Sequence, residues 1–301
     1  MIPAPAALVR AVRLLRCPLC GQGMGSTESG VECGDGHSFD RARGGHLTLL
    51  GARGRRFPGD SAHQVAARER VLGHGLFDGV ADALVGVAVD AVGTADRPVV
   101  LDAGAGTGFY LDRVIGAMRP PSQVGEDTTD GHAEPLGIGT ELSVPAARRL
   151  ARANPLVAAL VVDTWDGLPL VDSCVDLVQV VFAPRNPTEF ARVLRPGGTL
   201  VVAVPGPGHL EPLRTRAGML APAADKAERL GTHLAEGFEP GPVRVVDVTV
   251  TVPATIAADL ALMGPSGVHL DRTGVEQVIG TGDRAVRVHV EVRTFRRSLQ
   301  E

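Results

Sequence analysis

The chain has 301 residues, of which 44% are hydrophobic and 21% charged, and a net charge of −4 at pH 7. These proportions are globular and exclude a disordered or fibrous chain, and the length supports a substantial core without disulfides. No apolar run approaches the ~18 residues of a spanning helix. Asp82 and Asp90 interrupt the longest one, Val80 to Val92. No signal-peptide pattern precedes Cys17, so no membrane is expected and the expected compartment is the cytoplasm. The overall acidity argues against a strongly basic nucleic-acid binder. Residues 1–76, however, hold ten Arg against six acidic residues, a local +4 that leaves −8 for the remainder. An anionic partner is expected to meet the N-terminal quarter first.

In chain order, residues 3–16 predict one short amphipathic helix, an N-terminal extension over 1–16. Residues 17–50 are rich in Gly and carry three of the four Cys. Residues 51–60 predict a basic linker, and helical spacing follows over 61–75 and 77–92. Within a final domain over 93–301, Val99-Val100-Leu101 predicts a buried strand that ends at Asp102 in a Gly-rich turn. A helix follows from Leu111 to Met118, then a polar insertion over 119–136 that predicts a flexible segment. Strands are expected up to Glu141 and over 160–163, 175–182 and 199–204, with helices over 144–153 and 188–194. This alternation predicts a parallel α/β sheet with helices on both faces. Beyond 241, valines at period two predict antiparallel strands that close the sheet.

Cys17, Cys20, Cys33 and His37 are spaced C-x2-C-x12-C-x3-H. Two tight pairs joined by a loop place four donors around one tetrahedral Zn²⁺. Gly21, Gly34 and Gly36 permit the turns that converge them. Three idle cysteines and a surface histidine are the alternative, and a disulfide would leave one Cys over. With all four positions taken by protein, the metal is structural, and a 17–50 element (Cys3His) is expected to depend on it. The cofactor end of the sheet is expected to be distant and unaffected. Cys174 stands alone and predicts a small packed residue.

Asp102-Ala103-Gly104-Ala105-Gly106-Thr107-Gly108 is a strand end followed by G-x-G-x-G and a helix, the pattern of a nucleotide-type cofactor loop. Its third Gly comes one residue too early for the dinucleotide fingerprint. Glu141 ends the next strand, where a carboxylate grips ribose hydroxyls, and Asp163 ends a third. Then come Leu168-Pro169, Asp172 to Val178, and Leu194-Arg195-Pro196-Gly197-Gly198. Those pieces in that order resemble the class I S-adenosylmethionine methyltransferases, with a Rossmann-like α/β sheet. The resemblance implies that Asp102, Gly104, Gly106, Thr107 and Gly108 form the cofactor loop, that Glu141 binds the ribose, and that Asp163 or Thr164 sits by the adenine.

The likeness extends further. The Cys3His element is followed by Gly36-His37-Ser38-Phe39-Asp40, by Gly44 to Leu50, by Gly59-Asp60-Ser61 and by Ala67-Arg68. Phe182-Ala183-Pro184-Arg185-Asn186, Pro205 to Leu210 and Met263-Gly264-Pro265-Ser266 follow downstream. Together these resemble the RlmA/TlrB group of 23S rRNA guanine-N1 methyltransferases. That resemblance implies S-adenosylmethionine and Zn²⁺ as cofactors, an N-terminal zinc element that helps recognise RNA, a hairpin loop in domain II of 23S rRNA as substrate, and a homodimer. The same reaction serves housekeeping modification and macrolide-type antibiotic resistance.

Guanine N1 is protonated at neutral pH, so the site must assist loss of that proton. The 182–186 loop is expected at the carboxyl edge of the sheet, where ligands bind in open α/β folds. Phe182 would pack on the base, Arg185 would pair with phosphate or the guanine edge, and His209 is the nearest titratable group. Arg41, Arg43, Arg53, Arg55 and Arg56 are the expected phosphate contacts. Two other readings compete: a methyltransferase for a small molecule or protein, and a non-catalytic zinc and RNA-binding scaffold.

Overall fold

The computed structural model describes residues 4–51, 54, 59–93, 95–119, 134–219, 234, 237–264, 267 and 270–298. The predicted insertion (119–136) therefore lies mostly outside the described residues, as do Arg53, Arg55 and Arg56.

Helix α1 (Ala6–Ala11) continues into a 3-10 turn (Val12–Leu14), matching the predicted N-terminal helix, and buries Ala7, Leu8 and Ala11. Strands β1 (Met24–Ser26), β2 (Gly30–Cys33) and β3 (Ser38–Asp40) form a small antiparallel sheet. After β4 (Leu47–Thr48) come α2 (Ala62–Gly73) and α3 (Asp78–Val92). Ser61 caps α2 reciprocally: its hydroxyl accepts the Gln64 N–H at 3.3 Å, and Gln64 Oε1 accepts the Ser61 N–H at 2.9 Å. That fixes where α2 begins and so where Arg68 and Arg70 lie.

The α/β region runs β5 (Val99–Ala103), α4 (Phe109–Ala117), β6 (Leu136–Glu141), α5 (Val144–Ala153), β7 (Val157–Val161), β8 (Val175–Val181), α6 (Pro187–Val193) and β9 (Leu194–Pro205). It ends with α7 (Leu213–Arg216), β10 (Phe238–Val252), α8 (Ala254–Met263), α9 (Arg272–Ile279) and β11 (Arg284–Arg297). The eight-stranded sheet has the order β10-β11-β9-β8-β5-β6-β7-β4. Strands β4 to β9 in it are parallel, while β11 is antiparallel to both β9 and β10. The expected parallel core and antiparallel closure are thus both present. Helices α8 and α9 fall in a stretch that reads only as strands, because alanine and small apolar runs there show no clear period. The valines of β10 are not core throughout, since Val243, Val245 and Val248 are exposed on this edge strand.

Two apolar clusters cover the two faces of the sheet. One contains α3, α4 and α5 residues such as Leu84, Leu111 and Leu150. The other contains α1 together with Cys17, Met24, Val31, Cys33, Leu47 and Leu49, packed with Leu101, Ile138 and Leu160. The connection 162–174 from β7 to β8 has no helix, and the N-terminal element covers the face left open. Strand β4 adds parallel to β7 (Leu47 opposite Leu160), and the Leu49 N–H donates to the Val161 carbonyl at 2.9 Å. Arg16 N–H donates to Pro169 O at 3.0 Å, and Val171 N–H to Leu14 O at 2.8 Å. The metal element is therefore built into the main sheet and core. The expectation that it lies far from the cofactor end is corrected.

Candidate active site

Cys17 and Cys20 flank a knuckle in which Gly21, at φ +79°, donates its N–H to the Cys17 carbonyl at 2.9 Å. Gly36, at φ +78°, closes a tighter turn, donating its N–H to the Cys33 carbonyl at 2.9 Å. The turns bring Cys33 Sγ within 3.6 Å of Cys20 Sγ and 3.4 Å of His37 Nδ1, and Cys17 Sγ within 3.7 Å of His37 Nδ1. All four donors lie within 4.8 Å of one another. The vertices of a tetrahedral Zn²⁺ site with these ligands are about 3.5–3.8 Å apart, so the donors fit the metal. With no position left for a substrate, the metal's role is to hold β1–β3 and the knuckle together. Cys174 is buried away from this cluster, as its packing role predicts.

The carboxyl ends of β5, β6, β7 and β8 surround a cavity of about 570 Å³. Asp102, Gly104, Gly106, Thr107, Glu141, Asp163, Thr164 and Phe182 all line it, so the structure brings together most of the residues picked out in the sequence. Gly104 sits at φ +82°, and a Cβ there would collide with Ala183 Cβ, so only glycine lets the two loops approach. Gly108 is different. It caps α4 at φ +91°, and a Cβ would stand 2.9 Å from Leu150 Cδ1. It packs α4 on α5 and does not line the cavity.

Glu141 Oε2 accepts the Gly106 N–H at 2.9 Å, and Oε1 accepts the Ser143 N–H at 2.8 Å. Burial raises its pKa, opposed by these two hydrogen bonds. Asp102 is fully buried; its Oδ2 accepts from Gln179 Nε2 at 2.7 Å, and burial pushes its carboxyl up to about 7. Asp102 Oδ1 and Asp163 Oδ2 are buried without a hydrogen-bond partner. Two such oxygens in one wall call for a ligand that brings N–H donors. S-adenosylmethionine offers an α-ammonium and an adenine amino group, so the residues present fit it. Gln179 was not foreseen, although a polar residue inside the apolar run of β8 is itself a signal.

At the rim, Phe182 is 41% exposed and held at φ +54°, a conformation a bulky residue rarely adopts. Its ring stacks on His209 (centroids 5.8 Å apart, 29° between planes) and meets the edge of Phe77 at 6.0 Å. His209 lies behind Phe182, outside the cavity wall, and burial pushes its pKa down to about 4. Its Nδ1 accepts the His289 N–H at 3.2 Å, so Nε2 carries the proton. A neutral, buried imidazole with that tautomer does not suit the titrating role considered for it. Arg185 is also outside the wall; it is half-buried, and burial depresses its pKa. Arg68, on α2, pairs with Asp60 and donates to Met263 O at 3.0 Å beside the Gly106 turn. Ala67-Arg68 is visible in the sequence, but its place over the cofactor loop depends on the capping of α2.

The sheet order and this cavity define a class I S-adenosylmethionine-dependent methyltransferase that carries a zinc ribbon. Residues 15–56 match the zinc-ribbon family described as RlmA, N-terminal. The chain is 37% identical over 260 residues to the 23S rRNA (guanine(748)-N(1))-methyltransferase of Streptomyces fradiae, covering 86% of this chain and 88% of that one. It is also 37% identical over 298 residues to a Micromonospora griseorubida protein named for 23S rRNA guanine-N1 methylation, covering 94% and 96% of the two chains. The chain belongs to the 23S rRNA (guanine-N1)-methyltransferase family.

Proposed function

We propose that this protein methylates N1 of a guanine in a hairpin loop of domain II of 23S rRNA, near the peptide exit tunnel where macrolide-type drugs bind. The observation that carries the reading is the 37% identity to the Streptomyces fradiae enzyme across 88% of its length. The reaction would take place in the cytoplasm, with the chain acting as a homodimer. The same reaction serves either housekeeping modification or macrolide-type resistance.

When bound, S-adenosylmethionine supplies an electrophilic methyl group on a sulfonium. The chain's own task is then mainly positioning. The turn at Gly104 and Gly106 brings backbone close to the cofactor, Glu141 takes the ribose hydroxyls, and Asp102 Oδ1 and Asp163 Oδ2 accept N–H donors. Phe182 offers a flat face to the guanine. Arg185, three residues along the same loop, pairs with phosphate or with the guanine edge as N1 loses its proton. In a duplex, N1 is hidden inside a base pair, so the guanine must lie in a loop or be flipped out. Arg41 and Arg43 of the zinc element contact phosphate, with Arg53, Arg55 and Arg56 of the linker.

Incubation of a 23S rRNA transcript with S-adenosylmethionine, followed by mass spectrometry of the nucleosides, tests the reading. It predicts 1-methylguanosine. A transcript left unmodified while a small molecule or protein is methylated would overturn it.

A further inference from the structure

Among the described residues, the only exposed large aromatic side chains are Trp165, at 55%, and Phe182, at 41%, and both line the same cavity. They stand on loops that follow β7 and β8, which flank β6 and β5 in the sheet, so the loops reach the cavity from opposite sides. The loops are tied together: Asn186 Nδ2 donates to the Thr164 carbonyl at 2.9 Å, one residue from Trp165. The Trp165 backbone is itself fixed, its N–H donating to Asp163 Oδ1 at 3.1 Å. Phe182 is backed by Phe77 and His209. The indole has no ring partner of its own among the described residues.

Water-exposed aromatic surface on two anchored loops at one cavity mouth is an arrangement that takes up a flat, unstacked ring. Beside Asp163, where the resemblance puts the adenine, the cavity already has apolar walls in Leu142 and Val162. We propose that Trp165 and Phe182 form a two-sided clamp in which the indole stacks on the RNA base extruded for methylation. This assignment rests on the base-methylation reading. It makes Trp165 a substrate-positioning residue that selects for an unpaired base, since a base still in its duplex offers neither face.

Trp165 is the sole tryptophan, so the emission of the full, zinc-loaded chain, excited at the red edge where Tyr110 does not absorb, reports on this ring alone. Titration with a 23S rRNA transcript in the presence of S-adenosylhomocysteine should quench most of the emission, while S-adenosylhomocysteine alone should leave it nearly unchanged. Trp165→Ala should lower kcat/KM for the transcript about tenfold or more with cofactor Kd unchanged, and Trp165→Phe should restore most of it. Quenching by S-adenosylhomocysteine alone, or a Trp165→Ala variant whose cofactor Kd rises by the same factor, would place the indole on the adenine and overturn the clamp. A Trp165→Ala variant with unchanged kinetics overturns it too. A wild-type protein that binds S-adenosylhomocysteine but forms no 1-methylguanosine in the transcript overturns the underlying reading instead, and the clamp with it.

Discussion

The carboxylate of Glu141 accepts the backbone N–H of Gly106 at 2.9 Å, across the gap between the end of β6 and the turn after β5. Its other oxygen accepts the Ser143 N–H at 2.8 Å. Glu141 thus shapes the cofactor loop before any ligand arrives. With the ribose contact proposed above it would have two roles, and a substitution that removes both should exceed the loss of a ribose contact.

Glu141→Ala should therefore lower both cofactor affinity and the unfolding temperature. Each buried N–H left unpartnered costs about 1–3 kcal/mol. Glu141→Gln keeps one acceptor and should fall between the wild type and Glu141→Ala in both measurements. Calorimetry and thermal unfolding check this. A Glu141→Ala variant with lost cofactor binding and an unchanged unfolding temperature would show that the tether to Gly106 is unimportant.

The zinc site gives the second prediction. The knuckle 17–21 and the residues Val162 and Asp163 line one further cavity, and Val162 and Asp163 also line the cofactor cavity. Cys20→Ser should release the metal, measured by elemental analysis, and should also weaken cofactor binding severalfold through Asp163. Full cofactor affinity in the metal-free variant would show that the shared wall transmits nothing.

Asp102 should make cofactor binding dependent on pH. Burial raises its carboxyl to about 7, so in the empty protein it is mostly protonated at pH 6 and mostly ionised at pH 8. A cationic cofactor favours the ionised form, so affinity should rise across that interval, by at most about tenfold per pH unit. The stability of the empty protein should move the other way. A folded-state pKa above the unfolded value means that the native state holds the proton more tightly, so this contribution falls as pH rises from about 4 to about 7. Asp102→Asn should flatten the binding trend. A trend that persists in Asp102→Asn assigns it to another group.

His209 gives the opposite sign. Burial lowers its pKa to about 4, so its contribution to stability is present at neutral pH and is lost as pH falls from about 6.5 to about 4. As the residue behind Phe182, it should alter kcat/KM when replaced by Ala without moving the midpoints of the pH–rate profile. Loss of a midpoint in His209→Ala would restore it as a proton acceptor.

Much of this was legible in the sequence because it rests on local rules. Cys17, Cys20, Cys33 and His37 converge through turns their own neighbours dictate, and the D-x-G-x-G turn follows a short apolar strand. What was not legible depends on contacts between distant segments. Gly108 reads like Gly104 and Gly106, and only the approach of Leu150 shows that it packs helices. The pairing of β4 with β7 involves two residues, too few to carry a periodic signal. His209 reads as a titratable loop residue until Phe182, Phe77 and the His289 backbone enclose it.

Primer extension reads out whether the methyl sits on the pairing edge of the guanine. A methyl on guanine N1 blocks Watson–Crick pairing, so reverse transcription of a 23S rRNA transcript should stop one nucleotide before a single guanine in a domain II hairpin loop. The stop should require both the protein and S-adenosylmethionine. Full-length extension through that loop, from a transcript incubated with protein that demonstrably binds the cofactor, would contradict the account.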